Sequence, residues 1–269
     1  MKIIRYQDSN GMIGYAAQQS DHTTLKIVGD IYNHFEITTE KADVNKLLAP
    51  IVPSSILCIG LNYRHHAEES GLTIPGFPVL FIKAITALQN PGDPILLPRF
   101  LASEEVDYEC ELAVVIGKAC KNISRKHALD HVLGYTCAND VSARDWQLKN
   151  GGGQWCRGKT FDTFAPIGPC LVTADEIQDP NNLMIQTIIN GKVMQECSTK
   201  DMIFDIATLI EFLSGSTTLL PGTLILTGTP QGVGMAQKPC RWLKDGDIVT
   251  VKIENIGELT NPVKNESTN

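Results

Sequence analysis

Glu109 and Glu111 stand one residue apart in the run Val106-Asp107-Tyr108-Glu109-Cys110-Glu111-Leu112-Ala113-Val114-Val115-Ile116. Alternate side chains of an extended strand share a face, so both carboxylates project the same way, roughly 6.5 Å apart along the chain. Their face continues into Ala113 and Val115, while Cys110, Leu112, Val114 and Ile116 fill the other, so neither side is an ordinary solvent face. Two like charges on a buried face are costly unless a cation lies between them. A hard divalent ion takes such oxygen ligands, Mg²⁺ first, with Mn²⁺ or Ca²⁺ as alternatives. The plainer reading is a strand end whose glutamates reach water.

Asp140 lies where the apolar run Gly134 to Asn139 gives way to a helix-like stretch. An acid there either favours the positive end of the helix or adds a third carboxylate to the ion. Three carboxylates leave positions open for a substrate's oxygens. Gly153-Gln154-Trp155-Cys156-Arg157-Gly158-Lys159-Thr160 fits the phosphate-loop pattern G-x-x-x-x-G-K-T letter for letter. That motif needs a strand before it and a helix after it, whereas here a helix-like segment precedes and a stretch with Pro166 and Pro169 follows. Nucleotide binding is disfavoured. Lys159 is then either a solvated lysine or the charge that counters a bound enolate or carboxylate. Three residues separate His66 from Glu69, so on a helical turn the carboxylate would orient the imidazole as a base toward water. His65 and Glu68 fit the same spacing. Thr227-Gly228-Thr229-Pro230-Gln231-Gly232-Val233-Gly234 reads as a glycine-dependent turn whose N–H groups and Thr229 hydroxyl can approach an anion.

The elements that must position these residues are mostly short strands. Apolar runs at 56–59, 79–82, 112–116, 171–173, 184–189, 223–226 and 248–253 are punctuated by Gly and Pro. Helical spacing marks Ser124 to Val132, Ser142 to Lys149 and Met202 to Leu213, and a further helix-like stretch, Glu40 to Leu48, ends before Pro50. Strands and helices do not alternate regularly, which favours an α+β domain on mixed or antiparallel sheets over a doubly wound one. The division expected is a small N-terminal subdomain over 1–53, a catalytic domain over 54–263 and a polar tail over 264–269.

A chain of 269 residues can bury a sizeable core. Net charge −7 with no cluster of Lys and Arg removes the footprint of a nucleic-acid binder. Eight scattered cysteines without a C-x-x-C predict reduced thiols. Neither a signal-peptide core nor a membrane-spanning stretch is visible, so a cytoplasmic protein is expected, with no membrane partner.

Six segments, in order, resemble the fumarylacetoacetate hydrolase family from Ile56 to Val263: Gly60 to Glu69 (G-x-N-Y-x-x-H-x-x-E), Pro78 to Lys83, Asp107 to Leu112, Asn139 to Asp145, Gly158 to Thr163 and Thr227 to Gly234. The resemblance implies a mixed β-roll catalytic domain, usually dimeric, so a homodimer is expected. It implies one divalent ion held by Glu109, Glu111 and Asp140. It also implies that His66, not His65, is the base, paired with Glu69 on a segment that orders with substrate, and that Lys159, Arg144, Gln147 and Thr229 line the substrate site. Glu254-Asn255-Ile256-Gly257 departs from the commoner Glu-Gly-Ile-Gly.

The function expected is metal-dependent hydrolysis of a C–C bond in a small 2-oxo acid of the acylpyruvate kind, through a metal-bound pyruvate enolate. Oxaloacetate keto–enol tautomerisation, decarboxylation and 2-hydroxymuconate-type isomerisation are the alternatives on the same site, because all share an enolate and the scaffold does not choose among them. A non-catalytic binding protein that kept the fold is the reading from a different class. The co-occurrence of His66, Glu69, Glu109, Glu111, Asp140 and Lys159 argues against it.

Overall fold

The computed structural model describes residues 1–21 and 23–267. The strand Cys110–Ile116 runs through its middle with every residue buried. Alternation divides that strand between two apolar clusters. Cys110, Leu112, Val114 and Ile116 pack with Ile59, Leu209 and Ile225, while Ala113 and Val115 pack with Phe81, Ala138 and Leu226. A strand covered on both faces is expected to be apolar on both, and Glu111 is the charged exception on it, only 1% exposed.

The main sheet orders its strands as Phe35–Lys41, Thr24–Gly29, Ile13–Gln18, Lys2–Gln7, Ala165–Thr173, Val132–Asn139, Cys110–Ile116, Thr223–Leu226, Ser55–Gly60 and Val79–Lys83. Pairing along this path is antiparallel except between Thr223–Leu226 and Ser55–Gly60. The N-terminal strands join it through Lys2–Gln7 against Ala165–Thr173. A second sheet orders Lys192–Ser198, Met184–Ile189, Ile248–Ile253, Gly257–Asn265 and Ile95–Leu97, and a ribbon pairs Val106–Asp107 with Ser142–Ala143. Mixed sheets with few helices make this the α+β class expected of the chain.

Some local expectations fail. Glu40 to Leu48 is not a helix: its first residues complete the strand Phe35–Lys41 and its last form Lys46–Leu48, which pairs with Lys2–Gln7. Phe35–Lys41 pairs with Thr24–Gly29 and Lys46–Leu48 with Lys2–Gln7, and this tertiary pairing overrides a weak local preference. The stretch from Ser124 winds as a 3₁₀ helix over Arg125–His131, the tighter form common in short connectors. The helix expected from Met202 starts at Ile206, because the Asp205 carboxylate accepts the Thr208 N–H at 2.8 Å and caps it there. Lys264 and Asn265, assigned to a polar tail, pair with Leu96 and Leu97. Thr268 and Asn269 of that tail lie outside the described residues.

Leu112→Ala removes a side chain from the centre of the larger cluster and should cost about 2–5 kcal/mol. Urea unfolding should read this as a lower midpoint. An unmoved midpoint would mean that Leu112 is not packed as described.

Candidate active site

Antiparallel register brings the three acids together. Cys110 stands opposite Asn139, so Glu109, just before one strand, meets Asp140, just after the other. The Asp140 N–H donates to the Glu109 carbonyl at 3.0 Å, and the Asn139 Oδ1 accepts the Glu109 N–H at 3.0 Å. One oxygen from each of Glu109, Glu111 and Asp140 lies within 4.8 Å of the other two. All three are buried.

Three buried cations surround them. Lys159 Nζ donates to Glu109 Oε2 at 2.7 Å and to Asp140 Oδ2 at 2.8 Å. Lys83 Nζ donates to Asp140 Oδ1 and, at 3.0 Å, to the Val141 carbonyl. Arg144 Nη2 forms an ion pair with Glu109 Oε1 at 2.7 Å, its Nε donates to Asp107 Oδ2 at 2.9 Å, and its Nη1 donates to Gln147 Oε1 at 2.9 Å. Asp107 also accepts the Gly234 and Met235 N–H groups at 2.7 and 3.1 Å, which ties the loop after Thr227 to the centre.

Asp107, Glu109, Glu111 and Asp140 thus face Lys83, Arg144 and Lys159, four acids against three cations. Glu111 carries the excess. It accepts the Gly228 N–H at 2.7 Å but makes no ion pair among the described residues. Burial, with the Asp140 and Glu109 charges added, pushes its carboxyl well above the ordinary carboxylate range. Burial also opposes ionisation of Glu109, but Lys159 and Arg144 outweigh it and hold that carboxyl low. Lys159 is likewise penalised by burial, yet Asp140 and Glu109 hold it firmly charged. With Glu111 ionised the cluster is net negative, and its oxygen-only donors suit a hard divalent cation that would offset that charge. This is a candidate acidic metal site.

A cavity of about 450 Å³ opens on the cluster. Its wall carries His66, Glu69, Glu109, Glu111, Arg144, Gln147, Lys159 and Thr229, with Leu61, Leu72, Phe81, Trp155 and Met235 as the apolar part. Asp140 sits behind this wall, fully buried. All nine residues singled out in the sequence are therefore at or directly beneath one cavity. The helix Arg64–Glu69 places His66 Nδ1 3.4 Å from Glu69 Oε2, and both Glu69 oxygens accept the Gly232 N–H at 3.0 Å. Facing Nδ1 to Glu69 leaves Nε2 as the free ring nitrogen. His65 points elsewhere, with its Nδ1 2.9 Å from Asp201 Oδ1, so the structure separates two histidines that spacing leaves equivalent.

The phosphate-loop lookalike becomes a single turn, Cys156–Lys159, that drives Lys159 inward; the side chain is 2% exposed, not solvated. Its glycine serves packing. A Cβ on Gly158 would stand 2.5 Å from both the Ala143 carbonyl and the Gln147 N.

Sequence reasoning missed three contributors. Lys83 had a detectable signal, because Val79–Lys83 alternates with Leu80 and Ile82 outward and Phe81 and Lys83 inward, which puts a lysine where an apolar residue belongs. Asp107 was hidden beside the more conspicuous glutamates. Gln195, whose Nε2 donates to Thr229 Oγ1 at 2.8 Å, comes from the second sheet, and no local pattern announces it.

Fold and site together define a mixed-β protein whose buried carboxylate centre faces a His–Glu pair across a small-molecule cavity. The chain belongs to the fumarylacetoacetate hydrolase family: residues 55–264 match the family model described as fumarylacetoacetate (FAA) hydrolase C-terminal. It is 46% identical over 266 residues to a fumarylacetoacetate hydrolase domain-containing protein 2 homolog of Dictyostelium discoideum, covering 95% of this chain and 86% of that one. It is 51% identical over 218 residues to a protein of Xenopus laevis named as a mitochondrial oxaloacetate tautomerase, covering 81% and 68%. A solved structure of 5-carboxymethyl-2-hydroxymuconate delta-isomerase from Mycobacterium smegmatis superposes with a TM-score of 0.87 at 38% identity, covering 99% of this chain and 100% of that one.

Glu111 is harder to ionise folded than unfolded, so in metal-free protein its contribution to stability is intact below the ordinary carboxylate pKa and is lost as pH rises toward the folded value. Glu111→Gln should flatten that loss in thermal melts and abolish any rise in Tm on adding Mg²⁺. A variant that keeps both the pH slope and the Mg²⁺ response would remove Glu111 from the site.

Proposed function

We propose that the protein moves protons on small 2-oxo acids, interconverting keto and enol forms of an oxaloacetate-like dicarboxylate or shifting a double bond conjugated to the 2-oxo group. That the chain is an enzyme of the isomerase and hydrolase type acting on 2-oxo acids is the firmer statement. The observation that carries the finer one is the 51% identity to a protein named as an oxaloacetate tautomerase, alongside the 38% identity to a named delta-isomerase. Hydrolysis of a C–C bond, the sequence expectation, uses the same groups with an added water and is the second reading.

Glu109, Glu111 and Asp140 would hold one divalent cation, with Mg²⁺ proposed on the strength of the oxygen-only donor set. When bound, such an ion would supply Lewis-acid polarisation of the 2-oxo acid's oxygens and favour the enol form. Arg144 and Gln147 would bind a substrate carboxylate at the cavity wall. The Thr229 hydroxyl accepts from Gln195, so its own proton is free to be donated into the cavity. His66, oriented by Glu69, would take a proton from C3 of the keto form through Nε2 and deliver one to the 2-oxo oxygen to give the enol. The reverse sense would move the proton from that oxygen back to C3, with no net change in atoms. The Lys159 ammonium would stabilise the charge that develops on that oxygen in a site already shielded from water.

The substrate partner proposed is thus a small 2-oxo acid. All eight cysteines are free thiols, which suits the reducing compartment expected, the cytoplasm included, although the Xenopus relative's name says mitochondrial. No helix is long and apolar enough to cross a membrane among the described residues. A homodimer is the proposed assembly, supported by Leu80 and Ile82, exposed on the edge strand Val79–Lys83. Sedimentation should then give twice the chain mass, and a monomer at micromolar concentration would sink that assembly.

Purified protein with Mg²⁺ should accelerate the decay of the oxaloacetate enol absorbance without releasing pyruvate from acetylpyruvate. His66→Ala should lower kcat by about 10²–10⁴-fold, the ordinary contribution of a general base. Pyruvate release from acetylpyruvate with no effect on the enol would reverse the order of the two readings.

A further inference from the structure

His65 is the histidine that the cavity does not use, and it has its own partners. Its Nδ1 lies 2.9 Å from Asp201 Oδ1, and its backbone N–H donates to Asp201 Oδ2 at 3.1 Å. A sulfur completes the group: donor atoms of His65, Cys197 and Asp201 all lie within 4.8 Å of one another. The three come from separate elements, namely the first turn of the helix Arg64–Glu69, the strand Lys192–Ser198 and the 3₁₀ turn Thr199–Asp201. The corner is braced, since Arg64 Nη1 donates to the Asp201 and Met202 carbonyls at 3.1 and 2.6 Å. The Gln231 amide rests against Cys197, and its buried Oε1 finds no hydrogen-bond partner among the described residues.

We infer that His65, Cys197 and Asp201 form a second divalent-cation site, of the Zn²⁺ class. Nitrogen, sulfur and carboxylate donors are what Zn²⁺ takes, while a hard ion prefers the oxygen-only cluster of the cavity. Tetrahedral bonds of about 2.0–2.1 Å set nitrogen and oxygen donors about 3.4 Å apart, so the 2.9 Å pair needs to open only slightly. A thiolate, a carboxylate and a neutral imidazole balance a divalent charge. The His65 side chain is 62% exposed and that of Asp201 12%, which gives an ion entry from solvent and leaves a fourth position for water. Because His65 immediately precedes His66, an ion here fastens the helix that carries the proposed base to the second sheet. The site stands or falls independently of the reaction assigned to the cavity.

Titrating the reduced 269-residue chain with Co²⁺ in place of Zn²⁺ separates the two sites, because only a sulfur ligand gives a thiolate-to-Co²⁺ charge-transfer band. One equivalent of such absorbance per chain is expected, displaced by Zn²⁺, retained in Glu111→Gln and lost in Cys197→Ser. His65→Ala, on an exposed side chain, should weaken Co²⁺ binding at least tenfold and keeps the inference testable if Cys197→Ser fails to fold. No band, or a band that survives Cys197→Ser or is unmoved by His65→Ala, would overturn it.

Discussion

Seven ionisable side chains share the interior beside the central strand, and their mutual compensation constrains everything around them. An isolated carboxylate or ammonium at that depth would be expelled or neutralised. Lys159 satisfies Glu109 and Asp140 at once, Lys83 holds the other oxygen of Asp140, and Arg144 bridges Glu109 to Asp107. Removing any one strands its partner. The remaining imbalance falls on Glu111, which receives only a backbone N–H, and that carboxylate without an ionic partner is what makes the cluster a candidate cation site rather than a closed salt-bridge network.

The scaffold divides rigid from adjustable parts. Glu111 sits on, and Glu109 and Asp140 next to, main-sheet strands with ladder bonds on both sides, while Lys83 ends the edge strand Val79–Lys83, paired with Ser55–Gly60. The His66–Glu69 pair sits on a six-residue helix at the cavity mouth, held from outside by Glu69 on Gly232 and His65 on Asp201. A centre that must keep opposed charges in register benefits from the rigid part.

Proton transfer on a 2-oxo acid passes through an enolate and C–C hydrolysis would expel one as its leaving group, so a cavity of this kind is compatible with either. The apolar wall of Phe81, Trp155, Leu61 and Leu72 fixes how much substrate lies beyond the charged end, and Lys159 also lies 4.9 Å over the Phe81 ring. In the proposed function, substrate choice would be a matter of the wall's shape and the shared chemistry would belong to the charged floor.

The sequence by itself determined the class of fold and named most of the residues that gather at the cavity. Short apolar runs with Gly and Pro breaks predict the strands because that punctuation is local, while Glu109, Glu111 and Asp140 stand out as charge in or beside apolar runs, His66 by its three-residue spacing from Glu69 and Lys159 by its glycine-flanked loop. What only the tertiary structure decided depends on contacts between distant segments. Lys46–Leu48 is a strand because Lys2–Gln7 lies beside it. His66 rather than His65 faces the cavity because Asp201 claims the other ring. Lys159 turns inward because Gly158 lets its turn pack on the backbone at Ala143 and Gln147. Such pairings are satisfied across the chain, through hydrogen bonds and close approaches between residues far apart in order, and spacing along one segment carries no information about them.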